Sequence, residues 1–270
     1  MEGNNAASVI DANDAGEVKI QLLSPPEIGF HYELSFFKSG NTTVEASGNL
    51  GKVSLARYVM MSTEDDTTSF HMLAPQKGTY LLDIFAAPYP NYEMCQRKEA
   101  TKYINVCRFR VNVNGVDKVN VPLPECAPGE WGPTKGVKLV GLIPTSHLYP
   151  VINAAPDTNV NLQEDKPLTL NMEFEMTKPM LDFLIRLHKN GDNPYDEVIK
   201  TVSIVSKSFS NLAFQANGKN RDARYRIREN YLRVDVKVPQ NGQYGLDIFA
   251  REKWDDQMVH CCKYLINCDV

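Results

Sequence analysis

The 270 residues carry 29 Lys and Arg against 33 Asp and Glu, a net charge of −4, with 43% hydrophobic and 23% charged residues. That balance excludes a largely disordered, collagen-like or coiled-coil chain, and it excludes a general polyanion binder, whose affinity rests on clustered positive charge. The length suits two domains, each large enough to build a core without metal or disulfide support.

The first residues, MEGNNAASVIDANDAGE, lack a basic stretch followed by an apolar one, so no secretory leader is expected. Residues 1–16 read as a flexible tail, and a first β-sandwich is expected over 17–121. The cysteines, at 95, 107, 126, 261, 262 and 268, are expected to stay reduced in the cytoplasm. His31 to Lys38 and Val53 to Met61 are rich in β-formers and predict strands.

Residues 75–86, PQKGTYLLDIFA, recur as residues 239–250, PQNGQYGLDIFA, with nine of the twelve positions identical. Each copy is followed by a second match, Lys102 to Cys107 and Lys263 to Cys268, at an offset three residues smaller. A duplicated domain with a shortened loop is the expectation. Within the repeat Tyr80, Leu82 and Ile84 alternate with Leu81, Asp83 and Phe85, the period of a half-buried strand. Gly-x-Tyr-x-Leu predicts that Tyr80 and Tyr244 are structural, each hydroxyl tying back to upstream backbone at a sandwich corner. Asn114-Gly115, between two β-rich runs, predicts a tight hairpin.

Residues 122–136 are rich in Pro and Gly and read as a linker, with Trp131 buried as its structural anchor in the groove between the domains. A stretch of uncharged residues, Leu139 to Pro156, is broken by Pro144 and Pro150 and predicts no membrane-spanning helix. The second sandwich is expected over 137–270. Leu168 to Met176 and Tyr231 to Val238 predict strands. Met180 to Lys189 fits a helix or a strand; it is assigned as a strand because it holds the place of His31 to Lys38 in the first copy. The fold class is therefore all-β, two tandem immunoglobulin-like antiparallel sandwiches.

The doubled Tyr-x-Leu-Asp-Ile-Phe-Ala motif, the Lys-Tyr strand ending in Cys after each copy, and Glu130-Trp131-Gly132-Pro133 between them resemble the C-terminal repeat region of the hillarin and kyphoscoliosis peptidase family. That resemblance, over approximately residues 17–270, implies a transglutaminase-like protein of the cytoskeleton with septin- or filamin-like partners. It also implies a papain-like catalytic core upstream of the repeats.

A cysteine nucleophile needs a neighbouring imidazole oriented by a carboxylate. The five histidines, at 31, 71, 147, 188 and 260, stand in no recognisable catalytic context, so no catalytic, cofactor-binding or metal-binding residue is assigned and no enzyme activity is expected. His260-Cys261-Cys262 hints at zinc, but adjacent cysteines in a strand point to opposite faces; the sequence leaves open whether Cys262 is exposed and oxidisable. Arg224, Arg226 and Arg228 would line one face of a strand, either as a docking stripe for an acidic partner, anionic lipid or RNA, or as a solvated edge that blocks pairing. Tyr89, Tyr92 and Trp254, in the loops after the repeated strands, are further partner-binding candidates. The expected function is a non-catalytic cytoskeletal scaffold or adaptor that binds proteins. Two alternatives stand beside it: the regulatory or substrate-recruiting part of a transglutaminase-like or cysteine peptidase enzyme, and an anionic lipid or RNA binder. DNA is not an expected partner, and the sequence leaves the oligomeric state open.

Overall fold

A computed structural model describes residues 8–23, 25, 27–37, 46–88, 102–127, 129–133, 142–144, 151–154, 168–176, 180–190, 197–205, 223–228, 231–238, 241–252 and 258–268. The chain divides into two compact units, 1–123 and 124–270. Strands dominate both, and no described helix is long and apolar enough to cross a membrane.

In the first unit the strands are β1 (Ser8–Asp11), β2 (Glu17–Leu23), β3 (Ile28–Phe37), β4 (Ala46–Ser47), β5 (Asn49–Leu50), β6 (Val53–Ser54), β7 (Val59–Glu64), β8 (Thr67–Leu73), β9 (Gly78–Pro88) and β10 (Ile104–Val113). One sheet runs β1-β10-β9-β3-β4 and a second runs β2-β8-β7. Alternation sends Leu34, Tyr80, Leu82, Ile84 and Val111 of the first sheet into one core with Ile20, Met61, Phe70 and Met72 of the second. Each such side chain contributes about 1.5–3 kcal/mol by leaving water.

The second unit repeats the plan with β11 (Gly132–Pro133), β12 (Leu142–Pro144), β13 (Val151–Ala154), β14 (Leu168–Met176), β15 (Met180–Lys189), β16 (Glu197–Val205), β17 (Ala223–Arg228), β18 (Tyr231–Val238), β19 (Gly242–Glu252) and β20 (Val259–Cys268). One sheet runs β11-β20-β19-β15-β16, with β13 also on β20; the other runs β12-β14-β18-β17. Their core joins Phe183, Ile185, Leu246, Ile248 and Tyr264 to Met172, Phe174, Leu232 and Val234. The duplication extends to a parallel pairing: Ile10 of β1 stands opposite Val111, and Ile152 of β13 opposite Ile266.

Several expectations are corrected. Residues 8–11, read as part of a flexible tail, form β1, and Ala12 N–H continues the ladder to Asn112 O; the edge of β10 supplies the backbone partners that hold them. Val53 to Met61 is not one strand: a 3-10 turn, Leu55–Tyr58, interrupts it. Three residues per turn place Leu55 and Tyr58 on the same side, where both are buried. Asn114-Gly115 makes no hairpin, because β1 and β9 already occupy both edges of β10. The chain beyond is held instead by Asn120, whose side-chain amide donates to Ala15 O and Ala74 O.

The second repeated match also shifts. Cys107 pairs with Ile84 and Cys262 with Ile248, so Cys262, not Cys268, is the counterpart of Cys107. Identity between the Lys-Tyr segments had suggested a register six residues away. Gly78 and Gly242 of the repeated turn have φ of +154° and +144°, a backbone that side-chain-bearing residues avoid. Met180 to Lys189 is a strand; β15 pairs with β19 as β3 pairs with β9.

Candidate functional site

The most chemically loaded place in the described structure lies on the outer face of the second unit's larger sheet. Tyr244, Leu246 and Ile248 of β19 face the core, so period-two alternation sends Gly245, Asp247 and Phe249 the other way. An outward aspartate ordinarily sits in water, yet Asp247 is 1% exposed. The cover is a strap of the same unit, described over 124–127 and 129–131, that leads into β11. Ala127 N–H donates to Asp247 Oδ2 at 3.1 Å. Lys263, opposite Asp247 on β20, donates to Ala127 O at 2.7 Å and to Gly129 O at 2.9 Å. Its ammonium also lies 4.6 Å from the Trp131 ring centroid, a desolvated cation–π contact.

Gly245 makes room for the strap. A Cβ there would collide with Cys126 Sγ and stand 2.9 Å from Pro124 Cβ. The first copy has Leu81 at this position.

Two histidines converge on Asp247. In β20 the register shifts so that Ile248 faces Cys262 while Phe249 faces His260, leaving Cys261 as the extra residue of a β-bulge. The bulge brings His260 to the outer face, where its ring meets Phe249 edge-on and Nε2 lies 3.0 Å from Asp247 Oδ1. His188, on β15 opposite Gly245, places Nε2 at 3.5 Å from Asp247 Oδ2, without a hydrogen bond of ordinary geometry. One ligand atom each of Cys126, His188 and Asp247 fall within 4.8 Å of one another.

Burial pushes the Asp247 carboxyl upward, but the two imidazoles and the Ala127 N–H outweigh it and hold the group below the usual carboxylate range. Burial lowers Lys263 to about 8, against the opposing pull of Cys126, Asp247 and Glu130. Burial likewise raises the thiols of Cys261, to about 12, and of Cys262. Those two thiols are not nucleophiles at neutral pH.

The first copy holds a simpler version of this site. Val106 is the bulged residue there, Asn105 Nδ2 donates to Asp83 Oδ1 at 2.9 Å, and Arg108 Nε donates to the same oxygen at 2.6 Å. Asn105 thus stands where His260 does and Arg108 where Lys263 does. Arg108 is 42% exposed, whereas Lys263 is 3% exposed.

Of the residues singled out from sequence, Tyr80 is fully buried and its hydroxyl donates to Gln76 O at 2.8 Å, the corner bond. Tyr244 is equally buried. Trp131 is buried in the second unit over Lys263. Arg224, Arg226 and Arg228 fall at alternate positions of β17, which ends its sheet order among the described strands. Tyr89, Tyr92 and Trp254 lie outside the described residues. Two further features were not placed by the sequence. Cys262, whose exposure the sequence left open, is fully buried in the core cluster opposite Ile248. A Cys, a His and an Asp do come together: three segments far apart in sequence, each unremarkable alone, meet when the strap crosses the sheet. The signal available in the sequence was the replacement of Leu81 by Gly245 inside an otherwise repeated strand.

Two tandem sandwiches built on a repeated strand, antiparallel except where β1 and β13 run parallel to β10 and β20, make this an all-β protein with two immunoglobulin-like domains. Residues 4–124 and 154–270 match the KY-like, immunoglobulin-like domain family, and the chain belongs to it. It is 31% identical over 274 residues to the Lim and transglutaminase domain protein ltd-1 of Caenorhabditis elegans, covering 98% of this chain and 32% of that protein. Against Hillarin of Drosophila melanogaster the identity is 32% over 283 residues, covering 96% of this chain and 30% of the relative. The chain therefore spans about a third of the length of the curated relatives it matches. Among solved structures, the D00-D0 domain of Intimin aligns over 97% of both chains at 8% identity and a TM-score of 0.21, too low to carry an argument.

Proposed function

We propose that the chain is the non-catalytic, protein-binding portion of a transglutaminase-like protein, acting as a cytoplasmic scaffold or adaptor at the cytoskeleton. The observation that carries this reading is that both matched stretches are immunoglobulin-like domains, not a catalytic one, while the relatives that share them extend well beyond this region. Sandwiches present rigid faces and loop ends that suit protein recognition. The family resemblance directs attention to filamin-like and septin-like partners.

The test is twofold. The purified full chain is titrated against purified filamin and septin filaments, and its transamidase and peptidase activities are measured with and without thiol alkylation. Saturable binding with no alkylation-sensitive turnover supports the scaffold. Turnover abolished by alkylation overturns it, and so does the absence of binding to any cytoskeletal filament. Arg224, Arg226 and Arg228 supply the candidate docking stripe: reversing all three charges is expected to weaken partner binding at least tenfold. Binding that survives reversal assigns the contact elsewhere and leaves β17 a solvated edge.

A further inference from the structure

We propose that Cys126, His188 and Asp247 form a binding site for a zinc-class divalent ion, which clips the strap to the second unit's sheet. Three observations carry it. The residues come from three separate segments, strap, β15 and β19, and each presents one ligand atom within 4.8 Å of the others. His188, 6% exposed, aims Nε2 into this space, where it faces Asp247 Oδ2 at 3.5 Å without a hydrogen bond of ordinary geometry, which leaves a buried nitrogen under-satisfied. Thiolate, imidazole and carboxylate together form a donor set that zinc takes in tetrahedral geometry at about 2.0–2.3 Å.

Those bond lengths place ligand atoms about 3.5 Å apart in a tetrahedron, so closing on an ion needs only a modest contraction from the present spacing. The supporting shell already exists. Asp247 Oδ1 is engaged by His260 Nε2 and Oδ2 by the Ala127 N–H, the kind of outer hydrogen bonds that fix a ligating carboxylate.

Charge also balances. A divalent ion with the Cys126 thiolate and the Asp247 carboxylate is neutral, which leaves Lys263 to be offset by buried Glu130 nearby. The Lys263 ammonium is directed to Ala127 O and Gly129 O of the strap. Binding would release the Cys126 thiol proton to solvent as the sulfur–metal bond forms.

The experiment uses the full chain, reduced and stripped of metal. Zinc is titrated against a chromophoric chelator, and cobalt(II) is added separately to read the near-ultraviolet thiolate-to-metal absorption. One equivalent bound, with a cobalt–thiolate band and a raised melting temperature, is the expected result. Cys126→Ser and His188→Gln should each abolish the band and weaken zinc at least tenfold, while Cys107→Ser, in the other unit, should leave both intact. Cys126→Ser is a near-isosteric change at a half-buried position, so the folded state is retained for the measurement. Failure of the wild-type chain to bind zinc, or a band that persists in Cys126→Ser, overturns the site.

Discussion

Tyr80 and Gly245 show how much a single position decides. The Tyr80 hydroxyl closes the corner onto Gln76 O from a fully buried ring, and the lost bond in Tyr80→Phe is expected to cost about 1 kcal/mol. Chemical denaturation should show the midpoint falling with the slope unchanged. Gly245 acts through space instead. Restoring the first copy's side chain, Gly245→Leu, must push Cys126 and Pro124 off the sheet, and overpacking of this kind costs about 1–3 kcal/mol. In a Trp254→Phe background the emission of Trp131 should shift to the red as the strap lifts; unchanged emission would show that the strap tolerates the intrusion.

Asp247 adds a pH dependence whose sign follows from its depressed folded-state pKa. The unfolded carboxyl titrates near 4, so its contribution is fully present above that value and is lost as pH falls below it. The stability gap between wild type and Asp247→Asn should therefore be widest near pH 7 and narrow on acidification below about pH 4. A gap independent of pH would mean that the carboxylate charge is not what the histidines stabilise.

At the level of strands, legibility tracked the reach of the signal. Period-two alternation announced β9 and β19 because a strand writes its two faces into neighbouring positions. Sequence identity was a poorer guide to which residues of β10 and β20 correspond. Local Lys-Tyr identity suggested one alignment, and the pairing of Cys107 and Cys262 with the repeated isoleucines set another. Bulges at Val106 and Cys261 have no sequence signature of their own, yet they bring Asn105 and His260 to their aspartates. The three-residue periodicity of Leu55 and Tyr58 was present but hidden inside a β-rich run. The cluster of Cys126, His188 and Asp247 was illegible for a different reason: its members share no spacing, only a destination set by the strap.

The molecule as a whole consists of two units with separate cores, and the strap belongs to the second. Composition had placed residues 122–136 in a linker with the second sandwich starting at 137. Yet Pro124, Glu130 and Trp131 are buried, and Lys263 finds its acceptors there. A fragment spanning 124–270 should unfold cooperatively, whereas one spanning 137–270 should be less stable by about 1.5–3 kcal/mol, since it loses the buried Trp131 side chain and opens Asp247 and Lys263 to water. Thermal melts of the two fragments compare them directly, and equal midpoints would return the strap to the status of a linker.

Because the first copy carries Leu81 where the second has Gly245, the tandem is directional. A chimaera carrying the earlier sandwich twice would retain both hydrophobic interiors, but its second member would meet the crossing segment with a leucine where the chain needs a vacancy. The two frameworks are equivalent, and a difference of one side chain makes them non-interchangeable.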